Sequence, residues 1–201
     1  MNLDFREPAD INELGSLFRL RHTVYVEDPL LHKMLPAHSK HDINQFDLNA
    51  LHFAGFDGEK PVAYIRMVTR SETLFAEWTQ SILSATNSEV ALAHTPFPFQ
   101  AYCTDKEWSV KFVEQLERRK IGEVGKLAIH KEYRKGGLVL NALIQAFIHY
   151  CKEEQKFETG FGSCVLSLER YYRKFGFERA AGAIPFIYEG LPKAVIVKFD
   201  K

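Results

Sequence analysis

An excess of charge of either sign is missing: 26 Lys and Arg residues stand against 26 Asp and Glu in a chain of 201. A general polyanion-binding surface is therefore not expected, although a local basic patch is still allowed. Cysteine is scarce. Cys103, Cys151 and Cys164 are odd in number and have no close pair, which suggests neither a disulfide framework nor a thiolate metal site. No apolar run reaches membrane-spanning length, and no basic segment followed by an apolar run opens the chain. A soluble, cytoplasmic protein without an integral membrane segment is the expectation. Repeats, linkers and low-complexity tracts are also lacking, which points to one domain over residues 1–201. His32, His38, His41 and His52 have no paired-histidine helix motif and no cysteine partner, so they read as surface histidines and no metal is expected.

Phenylalanine, by contrast, occurs 16 times, which excludes disorder and suggests a large or ligand-accommodating core. Met1 to Arg6 reads as a short strand. Ile11 to His22 reads as a helix with an apolar face and Asp10 as N-cap, and Val24 to Val26 continue or end it. Glu27 to Asn49 lacks sustained periodicity, and a loop of that length usually serves as a lid or substrate wall. Ala50 to Phe56 and Val62 to Thr69 flank Asp57-Gly58-Glu59, a strong hairpin signal. Ser71 to Leu83 is weakly helical, Asn87 to Pro98 carries little signal, and Trp108 to Arg119 reads as an amphipathic helix. Strands at Thr159 to Val165 and Ala194 to Phe199 bracket a short helix from Leu166 to Phe175. A mixed sheet with helices packed on it fits this order.

The chain is organised around Gly122 to Gln155. Val124, Leu127 and Ile129 form an apolar strand, His130 to Gly137 break it with charge and paired glycines, and Leu138 to Cys151 continue at helical spacing. The N–H groups and dipole of such a helix start can hold a phosphate, with Arg134 or Lys135 adding charge. An ordinary tight turn would also use Gly136 and Gly137. Arg118, Arg119, Lys120, Lys126, Lys131, Arg134 and Lys135 crowd this part of the chain, against only Glu123 and Glu132. They form either a solvated face or a docking surface for an acidic partner or phosphorylated cofactor. Nucleic acid is not expected, because no recognition motif accompanies them.

VGKLAIHKEYRKGGLVLNALI resembles the acyl-CoA-binding core of the GNAT N-acyltransferase superfamily: Arg134 and Gly137 match, and Val139 replaces the last small residue. YYRKFGF, Tyr171 to Phe177, resembles the superfamily's later Tyr-x-x-x-Gly-Phe motif. The first half is similar to a branch of that superfamily, the acyl-homoserine-lactone autoinducer synthases and long-chain N-acyl amino acid synthases. That likeness rests on Arg21 to Val26, on HDINQFD with Asp42 and Asp47, on AYIRMVTR with Arg66, and on EVGKLAI with Glu123. Lys126 stands where the synthases have arginine, and no tryptophan precedes Glu123; both departures count against lactone synthesis more than against acyl transfer as such.

The resemblance implies an α/β fold, GNAT-like, with a mixed, largely antiparallel central sheet and helices on both faces. It implies transfer of a medium or long acyl chain from a phosphopantetheine thioester, on acyl carrier protein or CoA, to the amine of a small-molecule acceptor such as an amino acid. Acyl transfer to an amine needs a base, oxyanion donors and an acid for the departing thiolate. Glu123 is the candidate base and Tyr172 the candidate acid. For these two, an exposed strand-end carboxylate and a packed tyrosine with a wet hydroxyl are the plain alternatives. Donor contacts are assigned to Leu127, Ala128, Ile129, Arg134, Lys135, Gly136 and Gly137. Acceptor binding or loop ordering is assigned to Arg21, Asp42, Asp47 and Arg66. Autoinducer synthesis, acetyl transfer from acetyl-CoA and a non-catalytic acyl-carrier-binding module are the alternatives.

Overall fold

In the computed structural model, which describes residues 2–29, 31–35, 39–71, 73–86, 90, 94–187 and 193–200, the capping chemistry of the first helix sets its start. Asp10 accepts the N–H groups of Asn12 and Glu13, and α1 then runs over Ile11–Val26 without a break, so Val24 to Val26 continue it. The strand before it, β1, spans Asp4–Arg6; Met1 lies outside the described residues. The hairpin forms as the Asp-Gly turn demands, with β2 at Ala50–Asp57, β3 at Lys60–Val68 and Gly58 at a φ of 62°. Then come α2 (Ala76–Ala85), α3 (Pro98–Tyr102), α4 (Lys106–Gln115), β4 (Ile121–Ile129), α5 (Leu138–His149) and β5 (Thr159–Val165). The chain ends with α6 (Glu169–Tyr172) and three further strands, β6 (Glu178–Arg179), β7 (Phe186–Ile187) and β8 (Lys193–Asp200).

Some boundaries differ from expectation for local reasons. α4 begins earlier, because Asp105 caps it at the Trp108 N–H, and it stops at Gln115. The helix expected from Leu166 is a composite of α6 and flanking 3-10 turns, ended by Gly176 at a φ of 81°. Periodicity cannot reveal elements as short as α3, β6 and β7. Most of the weak-signal segment before Pro98 lies outside the described residues.

Among the described residues the strands form one sheet in the order β1-β2-β3-β4-β5-β8-β6, with β7 also on β8, and only β4–β5 is parallel. Ala63, Ile65 and Met67 of β3 pack with Leu143 and Phe147 of α5. Tyr64 faces the other way, onto Leu17, Leu20 and Val24 of α1. With both faces covered, β2 and β3 are buried almost throughout. No helix among the described residues is long and apolar enough to cross a membrane.

Two irregularities in β4 shape everything that follows. Its pairing with β5 stops after three rungs, at Glu123 opposite Phe161, while β5 goes on pairing with β8 to Val165. The strands fork there. On its other side β4 carries a bulge: Tyr64 pairs with Ala128 and Arg66 with Gly125, so Lys126 and Leu127 together oppose Ile65. Lys126 takes a φ of 55°, unusual for a residue with a side chain.

The long segment after α1 contains 3-10 turns at Leu31–Met34 and Gln45–Asn49, and its second half is pinned by buried charge. Arg21, fully buried on α1, donates to Asp47 at 2.7 and 3.2 Å and to Asp42 at 3.1 Å. It also donates to the Tyr64 hydroxyl at 3.3 Å, and that hydroxyl is hydrogen-bonded in turn to His52 Nδ1 at 2.7 Å. His52 is thus a fully buried residue of β2 and not a surface histidine, and burial lowers its pKa to about 3. No group of three or more His, Cys, Asp or Glu is placed to hold a metal ion among the described residues, and His38 lies outside them.

Burial alone would raise the pKa of Asp47, but Arg21 and Arg66 outweigh it and hold the carboxylate well below its usual range. Removing the cation would leave two buried carboxylates short of a partner. Arg21→Met is therefore expected to destabilise the fold by about 3–5 kcal/mol in urea denaturation. A loss under about 1 kcal/mol would mean that the carboxylates find compensation elsewhere.

Candidate active site

The fork in the sheet opens two cavities with a common wall. The larger, about 390 Å³, lies among Tyr25, Phe46, Arg66, Tyr102, Glu123 and Lys126. The smaller, about 130 Å³, lies toward α5 and is lined by Leu127, Ile144, Phe147, Cys164 and Tyr172, among others. Val124, Gly125, Lys126 and Ser163 belong to both.

Glu123 sits on the last rung of the β4–β5 pairing, only 4% exposed, which removes the reading of it as an exposed strand-end carboxylate. Both its oxygens accept the Phe99 N–H, at 3.0 and 3.1 Å. The short α3, unexpected from the sequence, supplies that contact. Burial raises the Glu123 pKa to about 8, against the opposing pull of the Phe99 N–H and Arg66. A carboxyl that titrates near neutrality in a cavity wall can take up and release a proton under working conditions.

Lys126, at the bulge, lines the same cavity. Its Nζ reaches Asp42 at 2.9 and 3.1 Å and lies over the Tyr25 ring. Burial lowers its pKa to about 8, Asp42 opposes this, and Arg21 and Arg66 add to the lowering. Arg66 donates through NH1 to Asp47 at 2.6 Å and to Asn44 at 3.0 Å, while its buried Nε has no partner among the described residues. Among the described residues the carboxylates paired with Arg21, Arg66 and Lys126 are Asp42 and Asp47, a cationic surplus of one when Lys126 is charged and Glu123 is protonated.

Tyr172 lines the smaller cavity with its ring edge on Phe177, and burial pushes its pKa up to about 12. It stays protonated at neutral pH, so its hydroxyl has a proton to donate. Leu127 faces the same cavity, whereas Ala128 and Ile129 pair with Tyr64 and Ala63 of β3 and turn their side chains into the core.

At the end of β4, Gly136 and Gly137 take φ values of 72° and 67°, which side-chain-bearing residues rarely adopt. α5 then starts with no capping side chain and no acidic residue in its first turn, leaving its leading N–H groups open. Val139 is buried in the core, so it does not cover this helix start. Arg134 is braced rather than free: its Nε donates to the Ile129 carbonyl at 2.8 Å and its NH2 lies 3.3 Å from Glu27. Lys135 is exposed.

The structure brings Arg66, Glu123 and Lys126 to one cavity and Leu127 and Tyr172 to the adjoining one. It sets Arg21, Asp42 and Asp47 behind the cavity wall as its internal frame. The basic residues crowded in the sequence are divided. Arg118, Arg119 and Lys120 precede β4 while Lys131, Arg134 and Lys135 follow it, roughly 25 Å apart at strand rise. They do not make one surface. Lys126, Ser163, Tyr64, His52 and Asn44 escape assignment from sequence; only Lys126, standing where a guanidinium is usual, carried a signal.

The family described as N-acyl amino acid synthase FeeM matches residues 16–199. No curated protein matches the chain. Among solved structures, FeeM, an N-acyl amino acid synthase from uncultured soil microbes, superposes with a TM-score of 0.54 at 14% identity, covering 99% of this chain and 91% of that one. The AHL synthase LasI gives 0.59 at 14% identity over 99% and 89%. An acyl-CoA N-acyltransferase from Pseudomonas aeruginosa gives 0.58 at 12% over 99% of both. These likenesses share one fold, and with the family match across nearly the whole sequence they make the chain a GNAT-superfamily acyltransferase belonging to the FeeM family of N-acyl amino acid synthases.

Proposed function

We propose that the protein moves a medium or long acyl chain from the phosphopantetheine thioester of acyl carrier protein to the amine of an amino acid or a similar small metabolite. The observation that carries this reading is the pair of adjoining cavities that share lining residues: an open fork with room on both sides suits a long chain, where acetyl transfer needs only a shallow slot. The α5 start and the Gly136-Gly137 turn would hold the donor's phosphate, with the pantetheine arm along Leu127 toward Tyr172. The cationic surplus of Arg66 and Lys126 favours an acceptor bearing a carboxylate.

The acceptor ammonium must lose two protons. Glu123 takes the first, directly or through water, freeing the nitrogen to attack the thioester carbonyl. The second leaves when the tetrahedral adduct collapses, and passes by way of the Tyr172 hydroxyl to the departing sulfur. The C–N bond forms, the C–S bond breaks, and free thiol and amide result.

Lipid extracts of cells expressing the protein should contain a new series of N-acyl amino acids by mass spectrometry; acetylated products alone would overturn the long-chain reading. Because Glu123 must be ionised to act, the single-turnover rate should rise with pH to a midpoint near 8. Glu123→Gln should flatten that limb and lower the rate at neutral pH by roughly 10²-fold or more. Linkage gives a second readout. The raised Glu123 pKa contributes stability below its unfolded value that is lost as pH climbs through about 8, and the Gln variant should lose that part of the pH dependence. Tyr172→Phe keeps the ring packing and should leave the melting temperature in place while turnover falls about 10²-fold. Turnover within a factor of about two of wild type would remove the hydroxyl from the mechanism.

A further inference from the structure

Four glycines lie on the two strands that fork: Gly122 and Gly125 on β4, Gly160 and Gly162 on β5. Three have a packing reason. A Cβ at Gly122 would come within 2.3 Å of Met67, one at Gly160 within 2.2 Å of Phe199, and one at Gly162 within 2.6 Å of the Val124 carbonyl oxygen. Gly125 has no such reason. A Cβ there meets no atom within 4 Å, and its φ is not in the left-handed region. Folding does not require a glycine at this position, and a glycine in a strand interior weakens the strand.

The empty flank of Gly125 lies where the two cavities meet, since its walls are shared with Val124, Lys126 and Ser163. On the other side of the fork the Ser163 Oγ is buried and lacks a hydrogen-bond partner among the described residues. Buried hydroxyls are rarely left so. A gap bordered by a missing side chain and an unsatisfied hydroxyl is shaped for a ligand that is mostly apolar and carries one polar group. The other strand glycines bring backbone and side chains closer together; this one keeps them apart.

We infer that Gly125 is the acyl-length gate of the enzyme: its missing side chain leaves the passage between the two cavities wide enough for a methylene chain to cross the fork. Side-chain volume at this position then sets how long a chain is accepted. The inference rests on reading the fork as the acyl-donor site. A short acyl group stays on one side of position 125, while a long one must pass it, so a side chain here discriminates by length and not by chemistry.

The test uses Gly125→Ala, Gly125→Val and Gly125→Leu with three readouts: melting temperature, the ratio of kcat/KM for dodecanoyl over butanoyl pantetheine thioesters, and calorimetric binding of dodecyl-pantetheine thioether. The Ala variant should melt at or above the wild-type temperature, because its methyl enters open space and the unfolded chain loses freedom. The dodecanoyl-to-butanoyl ratio should fall stepwise with side-chain size, roughly tenfold or more by Val. Thioether affinity should fall in the same order. A constant ratio, a Leu variant that binds the thioether as well as wild type, a wild type that does not bind it, or a lowered melting temperature for Ala would each overturn the gate. If wild type transfers neither chain but thioether binding still falls with volume, the gate stands and the transfer reading fails.

Discussion

Backbone hydrogen bonding between β4 and β5 ends at Glu123 and Phe161, and the site depends on that ending. Buried N–H and C=O groups need partners. β4 satisfies one edge against β3 and β5 one edge against β8, but beyond the last rung their facing edges have no strand between them. A ligand with amides of its own can occupy such a gap, which a side-chain-filled core could not offer. Gly162 brings β5 against the Val124 carbonyl at the root of the fork, so the divergence begins abruptly. The bulge at Lys126 and Leu127 completes it by shifting the register against β3.

The charges behind the larger cavity follow a different logic. Desolvating Arg21, Asp42 and Asp47 is expensive, and an apolar cluster of similar volume could stabilise as well or better. What the ionic cluster adds is position. Asp47 is shared between Arg21 on α1 and Arg66 on β3, and Asp42 between Arg21 and Lys126 on β4, so one loop ties a helix to two strands. The same frame leaves a positive surplus and the free Arg66 Nε beside the cavity. Burial keeps the proton on Glu123 to near pH 8, against the opposing pull of the Phe99 N–H and of Arg66.

Elements with a strong local period were legible before the structure: α1 with its Asp10 cap, the Asp-Gly hairpin, β4 and α5. The glycine turn was legible too, because Gly136 and Gly137 follow a strand and precede a helix. α3 was not, since five residues carry too little periodicity, yet its Phe99 N–H holds the candidate base. His52 was misplaced for a related reason. Its polarity suggested a surface, but a strand covered on both faces buries whatever it carries, and Tyr64 gives it a partner there.

The sequence by itself determined which residue types were available and in what order: a glutamate opening the central strand, paired glycines after it, a tyrosine motif downstream, and acidic residues in a long loop. Those are local statements, carried by spacing and by side-chain chemistry. Only the tertiary structure decided which of them meet. Asp42 and Asp47, five positions apart with no regular period between them, converge because both follow the guanidinium of Arg21. The basic residues near β4, adjacent in the sequence, are carried to opposite ends of a strand. Gly125 reads as an ordinary strand glycine until the strands on either side show that nothing approaches it. The physical reason is the same in each case: proximity across a sheet is set by pairing register and by where pairing stops, and neither is written in any one segment.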